Sequence, residues 1–385
     1  MATRKLRMGM IGGSSEAFIG AVHRKAAALD GEIELVCGAF SSDPRKSRAT
    51  GEALYLNPHR VYRTYAEMIE KERNLPGDQR MDFVSIVTPN HVHADPAKMA
   101  LENGFHVIID KPLAFSAAEA RALQKVVEKT GLLLGLTHTY TGYPMVKEAR
   151  HQIAQGKIGK VRKIYVEYHQ GWLTNFIEET NKQASWRTDP ARSGAGGAIG
   201  DIGTHAANLA EYMSGLSITE VNADLNIVVK GRKLDDDSAL LLRFNKGATG
   251  VLTATQIAAG EENNLNIRIY GEKGAVIWRQ EEPNSLLVRV YGQPNELYRA
   301  GWAYLSDAAR LNTRTPWGHP EGYLEAFANI YLAFGRAVRD FKPGKKLNTA
   351  RYDFPDVNDG VRGMAFIETV IRSAKSSRKW TKLKI

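Results

Sequence analysis

Two short segments hold the residue types most able to do chemistry: Asp110-Lys111-Pro112, and Gly196-Gly197-Ala198-Ile199-Gly200-Asp201-Ile202-Gly203-Thr204-His205. A lysine ammonium can polarise an alcohol and hold the alkoxide that develops as the proton leaves, and a positive nicotinamide beside it lowers its pKa. Asp201 and His205 lie four positions apart, so a helix beginning there puts them on one face. Histidine is the side chain whose ordinary pKa suits proton removal near neutrality. Taken alone, such a pair is equally the pattern of a helix cap with a surface histidine.

Nearer the start, Gly9-Met-Ile-Gly12-Gly13-Ser14-Ser15-Glu16-Ala17-Phe18-Ile19-Gly20 follows an apolar run and opens a helical one. Glycine there lets the backbone approach a pyrophosphate, and the helix N-terminus offers free N–H groups and a partial positive charge. With Gly12 and Gly20 as the outer glycines, the turn is about three residues longer than the G-x-G-x-x-G fingerprint. Ser14, Ser15, Phe18 and Ile19 are the other expected cofactor contacts in this turn. After the second apolar run, Ala39-Phe40-Ser41-Ser42-Asp43-Pro44-Arg45 puts two serines where an acid normally accepts the ribose hydroxyls of NAD. Ser41, Ser42 and Arg45 suit a 2′-phosphate, and Asp43 suits NAD if the turn is one residue longer, so the cofactor is expected to be NAD or NADP. Thr88-Pro89-Asn90-His91-Val92-His93 is a further polar cluster at a strand end, the edge where open α/β sheets bind ligands.

These segments need elements to position them. From residue 6 to 135, apolar runs at 7–11, 33–39, 83–87, 107–110 and 132–136 alternate with helical periodicity at 19–29, 45–54, 65–72, 94–103 and 117–130. That is the pattern of a parallel, doubly wound sheet built from βαβ units, with Gly104 and Gly131 at helix ends. Lys111 then projects from the carboxyl edge. Beyond residue 135 a helix at 143–155 precedes β-branched or alternating runs at 160–169, 218–229, 238–244, 248–255, 264–270, 275–278 and 286–291. They predict a large, mostly antiparallel open sheet, with helices at 323–339 and 357–374 covering one face. The expected fold is α/β: a Rossmann dinucleotide-binding domain over 5–134 and an α+β substrate-binding and oligomerisation domain over 135–385.

Composition narrows the classes. A chain of 385 residues with 43% hydrophobic and 24% charged residues is an ordinary globular protein of two or three domains. Its longest apolar runs are strand-sized, far short of the roughly 20 residues of a membrane span. The net charge of +10 is spread along the chain, and its densest group, Arg378, Lys379, Lys382 and Lys384, reads as a solvated tail; no nucleic-acid or membrane partner is expected. The basic start runs into Met8-Gly-Met-Ile-Gly12, too short and glycine-rich for a secretion signal. With the single Cys37, this points to a cytoplasmic protein without disulfides. Asp235-Asp236-Asp237 reads as a turn before an exposed strand, and no metal is assigned.

In its layout the chain resembles the Gfo/Idh/MocA oxidoreductases, the family of glucose-fructose oxidoreductase and inositol dehydrogenase. The resemblance rests on the glycine turn, the T-P-N-x-x-H cluster, the lysine motif (E-K-P in the family) and the later G-G-x-x-x-D-x-G-x-H motif, in that order over nearly the whole chain. It implies that Lys111, Asp201 and His205 form the catalytic group, with His205 or Lys111 accepting the proton. It implies further that Gly12, Ser14, Ile19, Ser41, Pro89, Asn90, His93, Asp110 and Pro112 line the cofactor, and that dimers or tetramers form through the open face of the second sheet. Departures are present. Asp110 replaces the usual glutamate, Asn208 stands where many relatives carry a second acid, and Thr137-His138-Thr139-Tyr140-Thr141-Gly142-Tyr143 replaces an asparagine and a basic residue.

Layout also marks Tyr140, His169, Trp172 and His319 as substrate candidates, and Trp186-Arg187 as a contact for cofactor or substrate. An indole face suits the apolar side of a sugar ring, and a guanidinium suits a phosphate or carboxylate. The expected activity is NAD(P)-dependent oxidation of a secondary hydroxyl of a sugar, glycoside or cyclitol. The alternative is a redox-neutral glycosidase that oxidises C3, eliminates the aglycone, adds water and returns the hydride, with Tyr140, His169 or His319 taking the C2 proton.

Overall fold

The computed structural model describes residues 4–345 and 347–385; of the basic start only Met1, Ala2 and Thr3 lie outside them. The chain divides into two compact units, Met1–His138 with Phe327–Val361, and Thr139–Ala326 with Arg362–Ile385.

In the first unit, β1 (Leu6–Gly12), β2 (Ile33–Ala39), β3 (Phe83–Val87), β4 (His106–Ile109) and β5 (Leu134–Leu136) lie in the order β2-β1-β3-β4-β5. All are parallel, as the expected βαβ pattern requires. Helices α1 (Phe18–Ala28), α2 (Pro44–Ala53), α3 (Tyr65–Arg73), α4 (Ala94–Glu102) and α5 (Ala117–Thr130) connect them. β3 and β4 are buried at every position, which is why their sequences are continuous apolar runs. Local chemistry sets the helix ends. Ser116 accepts from Glu119 N while Glu119 Oε2 accepts from Phe115 N, a reciprocal cap, and Gly131 ends α5 at φ 68°. β5 starts later than the run at 132–136 because Leu133 N donates to His106 Nδ1. β1 has β2 on one side and β3 on the other, so the strand order reverses there, the position at which open α/β sheets form a ligand crevice.

The second unit is built on β6 (Val161–His169), β7 (Ile218–Asn226), β8 (Asp237–Phe244), β9 (Thr249–Thr255), β10 (Asn264–Gly271), β11 (Gly274–Arg279), β12 (Ser285–Val290), β13 (Glu296–Arg299) and β14 (Thr381–Lys382). Their order is β13-β12-β11-β10-β6-β9-β8-β7-β14. Every pairing is antiparallel except that of β6 with β9. Burial alternates along β6, β8 and β9, so one face carries the core and the other is open.

Arg378, Lys379, Lys382 and Lys384 are all exposed, in line with a solvated tail, while the backbone there pairs β14 with β7 and Arg243 lies 4.1 Å over the Trp380 ring. One expectation is corrected. The triple acid is not a surface turn. Asp236 is buried and accepts from Val228 N, Val229 N and Arg232, which also ends β7 at Asn226 by drawing those amides off the ladder. Among the described residues no helix is long and apolar enough to cross a membrane.

Candidate active site

In the first unit the glycine turn closes β1 against the end of β3. Gly12 and Gly13 hold φ of 82° and 71°, and a Cβ on Gly12 would come within 3.0 Å of Val87 O. A Cβ on Gly20 would meet Gly13 Cα at 2.3 Å, so only bare backbone lets α1 pack on the turn. No side chain caps the N-terminus of α1. Bare backbone and uncapped N–H groups at the switch point fit a dinucleotide pyrophosphate, the role expected of this turn.

The loop after β2 is ordered by its own side chains. Ser41 Oγ accepts from Asp43 N, and Asp43 accepts from Arg45 N as the cap of α2. That backbone hydrogen bond holds the Asp43 carboxyl below its usual range. The Arg45 side chain is almost wholly exposed, with Nε 3.6 Å from the Asp43 carboxylate. In the cluster after β3, Thr88 Oγ1 donates to Val92 O and Asn90 is buried. His93 is buried with its ring nitrogens 2.8 Å from Pro112 O and from Thr88 O, and the single N–H of the neutral ring donates to one of these two carbonyls. Burial lowers its pKa.

Asp110 follows β4 and organises the turn that carries Lys111. Its Oδ1 accepts from Lys111 N and from Thr137 Oγ1, each at 2.9 Å. Burial opposes the Asp110 charge, but His23, Lys111 and His93 outweigh it and hold the carboxyl well below the usual carboxylate range. His138, also buried, is pushed down to about 3, by burial first and then by the Lys111 charge.

In the second unit, the loop Gly194–Ala198 leads into a π-helical turn, Ile199–Gly203, and then the helix Thr204–Ser214. Asp201 sits on the wide turn and His205 on the helix. Asp235 fixes this entry: its buried carboxylate accepts from Gly197 N at 2.6 Å and Ile199 N at 2.8 Å. Burial raises the Asp235 pKa against the pull of those amides. The His205 ring lies edge-on to Tyr140 at 4.9 Å, and Tyr140 OH shares a short hydrogen bond with Tyr168 OH. Tyr168 donates to Asn263 Oδ1, Asn263 Nδ2 donates to Tyr140, and Gln170 donates to Asn263. Trp172 Nε1 and Gln256 Nε2 both donate to Gln170 Oε1, and Gln256 also reaches Asp201 Oδ2 at 2.9 Å. Arg187 stacks on Trp186 and lies 3.5 Å from the same Asp201 oxygen. Burial pushes both tyrosine phenols up, so they are hydroxyl groups near neutrality.

The network thus joins Tyr140, Trp172, Arg187 and Asp201. His169 is not part of it: strand alternation turns it to the face opposite Tyr168, where Nε2 meets Thr253 Oγ1 at 2.8 Å. His319 is exposed ahead of the helix Tyr323–Asp340, with Nδ1 3.3 Å from Pro316 O. Asn263, Gln256 and Asp235 were missed as site residues. Asn263 and Gln256 sit at strand ends in stretches without a motif, and Asp235 belongs to an acidic run whose pattern does not reveal its backbone partners; only the fold brings them in.

Residues 6–138 match the family described as oxidoreductase, NAD-binding Rossmann fold, and residues 146–277 match the GFO/IDH/MocA C-terminal domain. The chain belongs to the GFO/IDH/MocA oxidoreductases. An uncharacterized oxidoreductase of Bacillus subtilis is 33% identical over 99% of this chain and 98% of its own length. The crystal structure of an oxidoreductase from Sinorhizobium meliloti has a TM-score of 0.88 at 44% identity, covering 98% of this chain and 99% of that one. An inositol dehydrogenase homolog from Azotobacter vinelandii, complexed with NAD+, has a TM-score of 0.92 at 32% identity over 99% of this chain and 98% of that one; it is also solved with NADH and myo-inositol. The resemblance read from the motifs is borne out, as is the two-part α/β fold. Like its family, the chain is an oxidoreductase with an NAD-binding Rossmann domain.

Proposed function

We propose that this GFO/IDH/MocA oxidoreductase oxidises a secondary hydroxyl of a cyclitol or sugar, with Lys111, Asp201 and His205 as its catalytic group. The observation that carries the reading is the set of uncharged donors and acceptors beside His205: two tyrosine hydroxyls, Asn263 and Gln170. Alternating O–H and amide groups match vicinal hydroxyls, which donate and accept in turn. The Azotobacter relative, whose structure holds NADH and myo-inositol, points the same way.

His205 takes the hydroxyl proton and the Lys111 ammonium stabilises the alkoxide as charge develops on oxygen. Asp201, tied to Gln256 and near Arg187, supplies fixed negative charge on the His205 side of the reaction. Bound NAD(P) would be held by Gly12, Gly13, the α1 N-terminus and the Ser41–Arg45 loop, and would supply the hydride acceptor. Ser41 and exposed Arg45 suit a 2′-phosphate, while the capping role of Asp43 draws its carboxylate inward, so NADP is accepted alongside NAD.

The redox-neutral glycosidase is the weaker reading. It needs a base for the C2 proton, and of its three candidates Tyr140 has its pKa raised by burial, His169 faces the other side of the sheet and His319 is exposed ahead of a helix. The deciding experiment incubates the purified chain with cyclitols, neutral and acidic sugars and aryl glycosides, with NAD or NADP, following reduced cofactor and released sugar together. Reduced cofactor in proportion to product is expected. Sugar release without it would overturn the dehydrogenase reading in favour of the glycosidase.

A further inference from the structure

Behind Asp110 the first unit buries a chain of polar groups that the proposed reaction does not use. His23 on α1 is fully buried, edge-on to Phe327 at 4.6 Å, among side chains that offer it little hydration. Its Nδ1 lies 2.7 Å from Tyr331 OH and 3.3 Å from Ser85 Oγ, and those two hydroxyls lie 2.9 Å apart. Its Nε2 faces the Asp110 carboxylate with Oδ1 at 3.9 Å, and among the described residues it makes no direct hydrogen bond.

The proton positions follow from chemistry. Burial pushes the Tyr331 phenol far up, so it keeps its proton. With Ser85 O–H donating to the Tyr331 oxygen and Tyr331 O–H donating to Nδ1, both short contacts are satisfied and the ring proton is left on Nε2. The other tautomer would aim an Nε2 lone pair at an ionised carboxylate in a poorly hydrated interior, where that repulsion is strongest. The imidazole N–H dipole therefore points at Asp110. This carboxylate in turn accepts from Lys111 N and Thr137 Oγ1.

We propose that Ser85, Tyr331 and His23 form a buried positioning relay that holds Asp110 ionised and oriented, and through it fixes the turn presenting Lys111. The relay deepens the reading of Lys111 as catalytic and rests on it. Besides His23, the titratable groups around Asp110 are Lys111 on its own turn, His93 from the start of α4, His138 after β5 and Tyr331 from the helix Tyr323–Asp340. Protonated Asp110 would no longer accept two hydrogen bonds on one charged oxygen, and the Lys111 turn would loosen.

The test reads Asp110 itself. In the full chain labelled with 13C at aspartate side-chain carboxyls, the Asp110 resonance is assigned by its loss in Asp110→Asn, and its titration is followed by NMR without substrate. His23→Phe keeps the ring shape and removes both nitrogens; His23→Gln returns an N–H at a similar reach; Tyr331→Phe frees the tautomer. The Asp110 midpoint is expected to rise by about one pH unit or more in His23→Phe, to recover most of that in His23→Gln, and to rise less in Tyr331→Phe. kcat at neutral pH should fall in the same order, with KM little changed. A midpoint unchanged in His23→Phe, or equal in Phe and Gln, would overturn the relay and leave His23 as packing. If His23→Phe does not fold, Tyr331→Phe carries the test, and an unmoved midpoint there overturns the proposal. A moved midpoint with an unmoved kcat refutes the link to Lys111. Failure of every substrate to turn over refutes the proposed function while leaving the NMR result standing.

Discussion

Around Lys111 the first unit gathers groups that carry or can carry charge, half-buried Asp110 with buried His23, His93 and His138, whereas around His205 the second unit gathers hydroxyls and amides, buried Tyr140, Tyr168 and Gln256 with half-buried Asn263. The contrast assigns different work to the two turns. A charged cluster fixes the ionisation of a few groups and answers to pH. A neutral network fixes where hydrogen bonds are offered and answers to the shape of what binds. Loss of charge in the first should therefore depress kcat, and loss of one hydroxyl in the second should mainly raise KM.

The largest effects are expected at the two proposed reacting groups. Lys111→Met and His205→Ala should each lower kcat by roughly a hundredfold to ten-thousandfold, read as the initial rate of cofactor reduction, with melting temperatures near that of the parent. A Lys111→Ala, His205→Ala double variant with full activity would remove the basis of the reading.

Next in size is Asp235, which stabilises the second turn from behind. Asp235→Ala strands two buried amides, Gly197 N and Ile199 N, at a cost of about 2 kcal/mol or more, visible as a lower denaturation midpoint. Asp235→Asn, which keeps one acceptor oxygen, should fall between. Equal stability of all three would mean that the entry to the Asp201 turn is held by something other than this carboxylate.

A single hydroxyl of the neutral network is worth less. Tyr140→Phe should raise KM about tenfold and change kcat little, since Tyr168 retains its bond to Asn263. A fall in kcat alone, with KM unmoved, would break the division of labour between the two turns.

The sequence carries the first unit's turn more openly than the second's. Lys111 and Thr88 follow strands whose every residue is buried, so the apolar runs end where the chemistry begins. The reciprocal cap and Gly131 mark α5 in the same local way. The neutral network is spread over strand ends and loops from Tyr140 to Asn263, and no local pattern joins them. Asp235 reads along the sequence as part of a turn, because its partners, two backbone amides, leave no trace in residue types. His23 has no local signal at all; the phenol it meets is 308 residues away. Burial patterns read along the chain locate elements, while buried polar pairings across it become visible only once the sheet order is set.

The smallest effect at neutral pH, and the sharpest test of the charged side of the comparison, concerns His106. Burial pushes its pKa down to about 4 from 6.5, opposed only by the Asp82 charge, and its neutral Nδ1 accepts from Leu133 N at 3.0 Å. The unfolded chain takes up a proton below pH 6.5 that the folded chain refuses until about 4. The stability owed to neutral His106 is therefore complete above the unfolded value and is lost as pH falls through that window. Near pH 5 the loss is roughly 2 kcal/mol, and buried His93 and His138, with pKa values lowered in the same sense, add to it. All three belong to the first unit. His106→Asn offers Leu133 N an amide oxygen without a titrating group, so it should change stability little at pH 7 and flatten the acid slope. Hydrogen exchange, corrected for the intrinsic rate, should show first-unit peptides losing protection on acidification in the parent and losing less of it in the variant. An unchanged slope in His106→Asn would mean that acid sensitivity arises elsewhere, and the first unit's buried histidines would then be packing, not charge control.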